Sequence, residues 1–129
     1  VAQPSLAMWP RQQRTVGGTG SVAMRRIGRV MRVREGKLDE YRELHQTVWP
    51  EVLDALRDAH IENYTIYYYQ GLIFSTMEYT GEDYAADREA LLEDPAMIRW
   101  NALTAPCLEP VDGPAGTPWP IMEELFHLD

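Results

Sequence analysis

ENYTIYYYQGLIFSTMEYTG, residues 62–81, is dense in Tyr, Ile and Thr, the residue types that fit a pleated, half-buried surface. Gln70-Gly71 breaks it as a tight turn and Thr80-Gly81 ends it, so the stretch predicts a β-hairpin. Its first strand offers Tyr64, Ile66 and Tyr68 on one side and Thr65, Tyr67 and Tyr69 on the other. Both faces therefore carry large rings. Helices on one face of such a sheet leave the other uncovered, and a ring-rich face is normally buried by a partner, which predicts a homodimer through the sheets. A monomer whose loops fold over that face is the alternative.

Upstream, RIGRVMRV (26–33) alternates imperfectly: Ile27, Met31 and Val33 share one face, with Arg29 as its polar exception. This is a first strand. After the turn at Glu35-Gly36-Lys37, the residues Leu38, Tyr41, Leu44, His45, Val48, Val52, Leu53 and Leu56 recur at helical spacing up to His60. Pro50 lacks the N–H that would reach the Gln46 carbonyl, so this helix must kink or restart near Trp49. Downstream, Asp83 to Leu108 is helical with a break at Asp94-Pro95, where Asp94 caps a new helix and Pro95 takes its first position. A Pro- and Gly-rich loop covers 110–120, and IMEELFHL (121–128) reads as the last strand. The order β, α, β, β, α, β predicts an α+β, ferredoxin-like βαββαβ antiparallel sheet with helices on one face, of the dimeric α/β barrel type.

A chain of 129 residues that is 45% hydrophobic suits one domain with a real core. Residues 1–23, rich in Gly, Pro, Gln and Ser and without period, read as a disordered extension or an expression remnant; 24–129 is the single domain, with Met24 as a natural start. The net charge is -8, and setting aside Arg11 and Arg14 takes it to -10. Such acidity argues against nucleic acid or an anionic membrane as partner, because phosphate binding needs a basic face. Cys107, the lone cysteine, has no partner in the chain for a disulfide, which points to a reducing cytoplasm. No apolar run reaches membrane-spanning length.

Tyr41, His45 and Trp49 follow one another at intervals of four and stack along one helical stripe. Next to a kink they open a cleft, with His45 able to exchange protons near neutrality. Tyr, Trp and His together suit a polyhydroxylated, uncharged ligand, the rings packing on sugar C–H faces. Equally, Tyr41 and Trp49 can be core and His45 a hydrogen-bonded core histidine; spacing leaves both open. There is no nucleophile-elbow motif and no Gly-rich phosphate loop after a strand. His45, His60 and His127 lack metal-ligand spacing, so no metal is expected. His60 suits a helix C-terminus, and His127 a partly buried strand.

Taken together, EYRELH followed by VWPE, then ENYTIY, the Arg99-Trp100 region and the ending MEELFHLD resemble the L-rhamnose mutarotases over roughly Met24 to Asp129. The resemblance implies a dimeric, ferredoxin-like fold and interconversion of the α and β anomers of L-rhamnose with no cofactor. It implies His45 as the catalytic acid/base, with Tyr41 and Tyr64 binding the sugar. Trp100 matches one of two adjacent tryptophans of the family's site, and the sequence departs at the other, where ungapped alignment places Arg99 and a one-residue shift places Asn101. The implied reaction removes the O1 proton, protonates the ring oxygen, opens the C1–O5 bond, rotates the aldehyde and recloses the ring. L-fucose or another deoxysugar is the alternative substrate. A cofactor-free monooxygenase or haem-handling protein of the same fold, and a non-catalytic deoxysugar-binding protein, are the rival functions.

Overall fold

The computed structural model describes residues 25–129, so the expectations for residues 1–24 lie outside the described residues. Four strands, β1 (Arg25–Val33), β2 (Ile61–Tyr69), β3 (Leu72–Tyr79) and β4 (Leu108–Glu109), form one sheet in the order β2-β3-β1-β4. Every neighbouring pair is antiparallel. The helices are α1 (Leu38–Leu44), α2 (Pro50–Asp58), α3 (Tyr84–Glu93) and α4 (Pro95–Thr104), the last running into a 3₁₀ turn at Ala105–Cys107. The α+β class, the antiparallel sheet and the hairpin at Gln70-Gly71 are as the sequence predicts.

The restart expected near Trp49 is found, and one other expectation changes. The long first helix is two helices: α1 stops at Leu44, and the chain turns before Trp49, in extended conformation, caps α2 with Pro50 in its first turn. Proline is tolerated there because that N–H has no intrahelical partner in any case. The correction concerns the last strand, which is Leu108–Glu109 against Arg32 and Val33 and not residues 121–128. The tail makes one isolated bridge, Ile121 to Arg29, with the Met122 N–H donating to the Gly28 carbonyl at 2.7 Å. Beyond it Leu125, Phe126 and Leu128 stand in solvent. A strand needs an edge to pair with, and the tail meets β1 only there.

Helices cover one face of the sheet. Met31, Val33 and Ile73 pack there with Tyr41, Cys107 and Leu108, and Ile27 packs with Tyr79 and Tyr84. A further cluster, Val52, Ala96, Met97 and Trp100, joins α2 to α4. Asp83 and Asp94 cap α3 and α4 by accepting from the N–H of Ala86 and of Met97, each at 3.1 Å. On the opposite sheet face Tyr67 and Tyr69 are 58% and 65% exposed.

One irregularity in β2 positions the site. The pairing of β2 with β3 shifts between Glu62 and Thr65, and Asn63 takes a positive φ of 49°. This is a bulge. It lets Ile61 and Tyr64, three residues apart, both face the helices, where a regular strand would send one of them to the other face.

Candidate active site

A cavity of about 390 Å³ lies between the covered face of the sheet and the helices. Tyr41, His45, Tyr64, Trp100 and Asn101 line it, which brings together residues from α1, its C-terminal turn, β2 and α4. His45 sits where α1 ends, so the helix stop that Pro50 anticipates is what frees its ring from the helix barrel and aims it into the cavity. The ring is fixed on both sides. Tyr41 stacks on it with centroids 4.4 Å apart, and Trp100 meets it edge-on at 5.4 Å. Trp49 in turn supports Trp100 at 5.2 Å.

His45 Nδ1 lies 2.8 Å from the carbonyl oxygen of Tyr41. A carbonyl only accepts, so Nδ1 carries the hydrogen and donates it, and in the neutral ring Nε2 is the basic nitrogen. Tyr41 is buried, and burial raises its pKa first, with Tyr64 and Cys107 adding to the effect. Tyr64 lines the cavity from the edge strand while remaining 43% exposed, and burial raises its pKa against the lowering effect of Arg29. Both hydroxyls are therefore neutral donors near pH 7.

Arg99 is exposed and does not line the cavity, whereas Asn101, on the other side of Trp100 in sequence, does. Of the two residues flanking Trp100, the cavity lining therefore includes Asn101 and not Arg99. Three features beyond the expected set also line the cavity. Trp119 arrives from the 110–120 loop at a positive φ of 50°, its backbone N–H donating to Met31 Sδ. Arg29 projects from the covered face of β1 and donates from Nη2 to the Tyr84 hydroxyl at 2.8 Å. Arg88 comes from α3, on the stripe that also carries Tyr84 and Leu91. For Arg29 a signal was present, since it interrupts the apolar side of its strand. For Trp119 there was none, because loop sequence does not fix the path of the chain.

His60 and His127 lie elsewhere. His60 contacts Asp87 Oδ2 through Nδ1 at 3.0 Å, and His127 contacts Asp129. Among the described residues, no group of three or more His, Cys, Asp and Glu is placed to hold a metal ion, and no helix is long and apolar enough to cross a membrane.

An aromatic, sugar-sized cavity closing on a histidine of fixed tautomer, built on an antiparallel α+β sheet, defines a small protein suited to proton transfer on a polyhydroxylated ligand. The chain belongs to the L-rhamnose mutarotase family, whose model matches residues 26–128. It is 36% identical over 102 residues to an L-rhamnose mutarotase of Burkholderia orbicola (strain MC0-3), covering 77% of this chain and 93% of that protein. A relative of the same name from Jannaschia sp. (strain CCS1) is 33% identical over 102 residues, covering 76% of this chain and 92% of that one. Among solved structures, an L-rhamnose mutarotase from Formosa agariphila superposes with a TM-score of 0.60 at 21% identity, over 81% of this chain and 98% of that one. A NIPSNAP family protein from Agrobacterium tumefaciens reaches 0.52 at 20% identity, over 67% of this chain and 77% of that one. These two likenesses concern the fold.

Proposed function

We propose that this protein is an L-rhamnose mutarotase, interconverting the α and β pyranose anomers by ring opening and reclosure. The observation that carries the chemistry is the His45 ring, held by the Tyr41 carbonyl with Nε2 as its base inside the cavity. Nε2 takes the proton from the anomeric O1 while a donor protonates the ring oxygen O5, and the C1–O5 bond breaks to give the open-chain aldehyde. Rotation about C1–C2 turns the other carbonyl face towards O5. The ring recloses with the proton movements reversed, so no net proton is gained or lost.

Tyr41 is the helper we assign to O5, directly or through the His45 ring. Its raised pKa keeps the hydroxyl protonated, so it serves as a hydrogen-bond donor to O5 while the proton that O5 takes up is the one carried by His45. Tyr64 and Asn101 supply hydrogen bonds to ring hydroxyls, and Trp100 packs on the C–H face of the sugar. Arg99 is left out of the binding set, being exposed and away from the lining. NMR saturation transfer between the anomeric protons of L-rhamnose is the test. We expect the intact protein to accelerate exchange and His45→Ala to lose about 10²- to 10⁴-fold of it. Full acceleration by His45→Ala would remove His45 from the chemistry.

The same reading makes the protein a homodimer, joined through the sheet face that carries Tyr67 and Tyr69. Their exposure, 58% and 65%, is what supports that partner surface. It places the protein in the cytoplasm as part of carbohydrate metabolism, with the single Cys107 thiol reduced. A net charge of -8 leaves nucleic acid and anionic membranes outside its set of partners.

A further inference from the structure

A neutral deoxysugar does not use everything in the cavity. Two guanidinium groups, Arg29 and Arg88, line it together with His45, and among the described residues no Asp or Glu lines it. The 24 preceding residues contain no Asp or Glu either. Arg29 is oriented by its bond to Tyr84, and Tyr84 is itself buried and packed edge-on against Tyr79 at 5.1 Å. The Arg29 fork is thus held in place. Burial lowers the Arg29 pKa, and the charge of Arg88 lowers it further against the opposing effects of Tyr84 and Tyr64. A methyl group offers two guanidinium groups that line one cavity no acceptor, whereas a carboxylate matches the planar fork with two oxygens.

We propose that Arg29 and Arg88 form an anion subsite within the sugar cavity, so that it accepts an aldopyranose whose C6 is a carboxylate, a hexuronic acid. The carboxylate belongs at C6 because that is the one carbon of an aldopyranose that can be oxidised to an acid while the ring and the anomeric centre stay intact. The proposal rests on the mutarotase reading and widens its substrate from a 6-deoxy sugar to the 6-carboxylate. The proton chemistry at O1 and O5 is unchanged.

The matched series L-rhamnose, L-mannose and L-mannuronate shares one ring configuration and differs only at C6, as methyl, hydroxymethyl and carboxylate. Anomeric exchange of each is measured by NMR with the intact chain, Arg29→Met and Arg88→Met, each variant checked for folding by circular dichroism. We expect the protein to accelerate L-mannuronate exchange with kcat/KM at least equal to that for L-rhamnose. Each variant should lower the L-mannuronate-to-L-rhamnose ratio by about tenfold or more, and raised ionic strength should lower it too. Should Arg29→Met not fold, Arg88→Met decides alone. Acceleration of L-rhamnose without L-mannuronate overturns the subsite and leaves the mutarotase reading standing, as does an unchanged ratio in the folded variants. If neither sugar is accelerated, the mutarotase reading fails. The subsite is then decided by ligand-observed NMR with L-mannuronate: binding that Arg29→Met or Arg88→Met abolishes upholds it, and absence of binding overturns it.

Discussion

The role proposed for His45 rests on one backbone atom, because the bond from Nδ1 to the Tyr41 carbonyl fixes which nitrogen is basic. The Tyr41-His45-Trp49 spacing showed in the sequence that these side chains share a stripe, yet it did not separate a core histidine from a catalytic one. The catalytic reading proposed above is supported only by the cavity and by the contact with Trp100, which comes from a helix 50 residues and more downstream. The tyrosines carry a pH signature. Tyr41, Tyr64 and Tyr79 all have raised pKa values, burial being the first cause in each. Their folded values lie above the unfolded value near 10, so the stability they contribute is fully present below that pH and is lost as pH rises through the folded values. Following phenolate absorbance and circular dichroism together in an alkaline titration, we expect a late-ionising class of tyrosines whose ionisation coincides with unfolding. Ionisation of every tyrosine in one early step, with the fold intact, would contradict this.

At the level of elements, boundaries that depend on local chemistry were legible. Asp94 and Pro95 mark the start of α4, and Gln70-Gly71 marks the hairpin turn, because caps and turns are set by a few adjacent residues. Asp94→Ala should destabilise the protein by about 1 kcal/mol, measured by urea denaturation, since the Met97 N–H loses its acceptor. What depended on partners far along the chain was not legible. The tail 121–128 has strand-like composition, but β1 offers it pairing only at Arg29. The bulge at Asn63 was likewise hidden, because Glu62 to Thr65 reads as ordinary alternation while the shifted register is set by β3. Tyr64 faces the cavity because of that extra residue.

For the whole molecule, the order of elements named the fold class, since hydrophobic period and turn chemistry act at every level in the same direction. The uncovered sheet face makes association the matching prediction. Tyr67→Glu with Tyr69→Glu, both far exposed, should shift a dimer to monomer in light scattering, since a stable interface needs about 800 Å² per partner and two buried charges oppose it. A wild-type protein that is monomeric at micromolar concentration contradicts the homodimer. The short α1 has a different consequence. At seven residues it is below the roughly 12–15 at which an isolated helix begins to hold in water, so it persists only while its packing does. The turn carrying His45 that follows it is then among the first parts of the molecule to open, and amide hydrogens of residues 38–49 should exchange with solvent before those of β1 and β3. Occupancy by sugar would act as a latch: at a concentration about a hundredfold over Kd, exchange in that segment should slow by up to about a hundredfold, so that the substrate itself completes the folding of the site that turns it over.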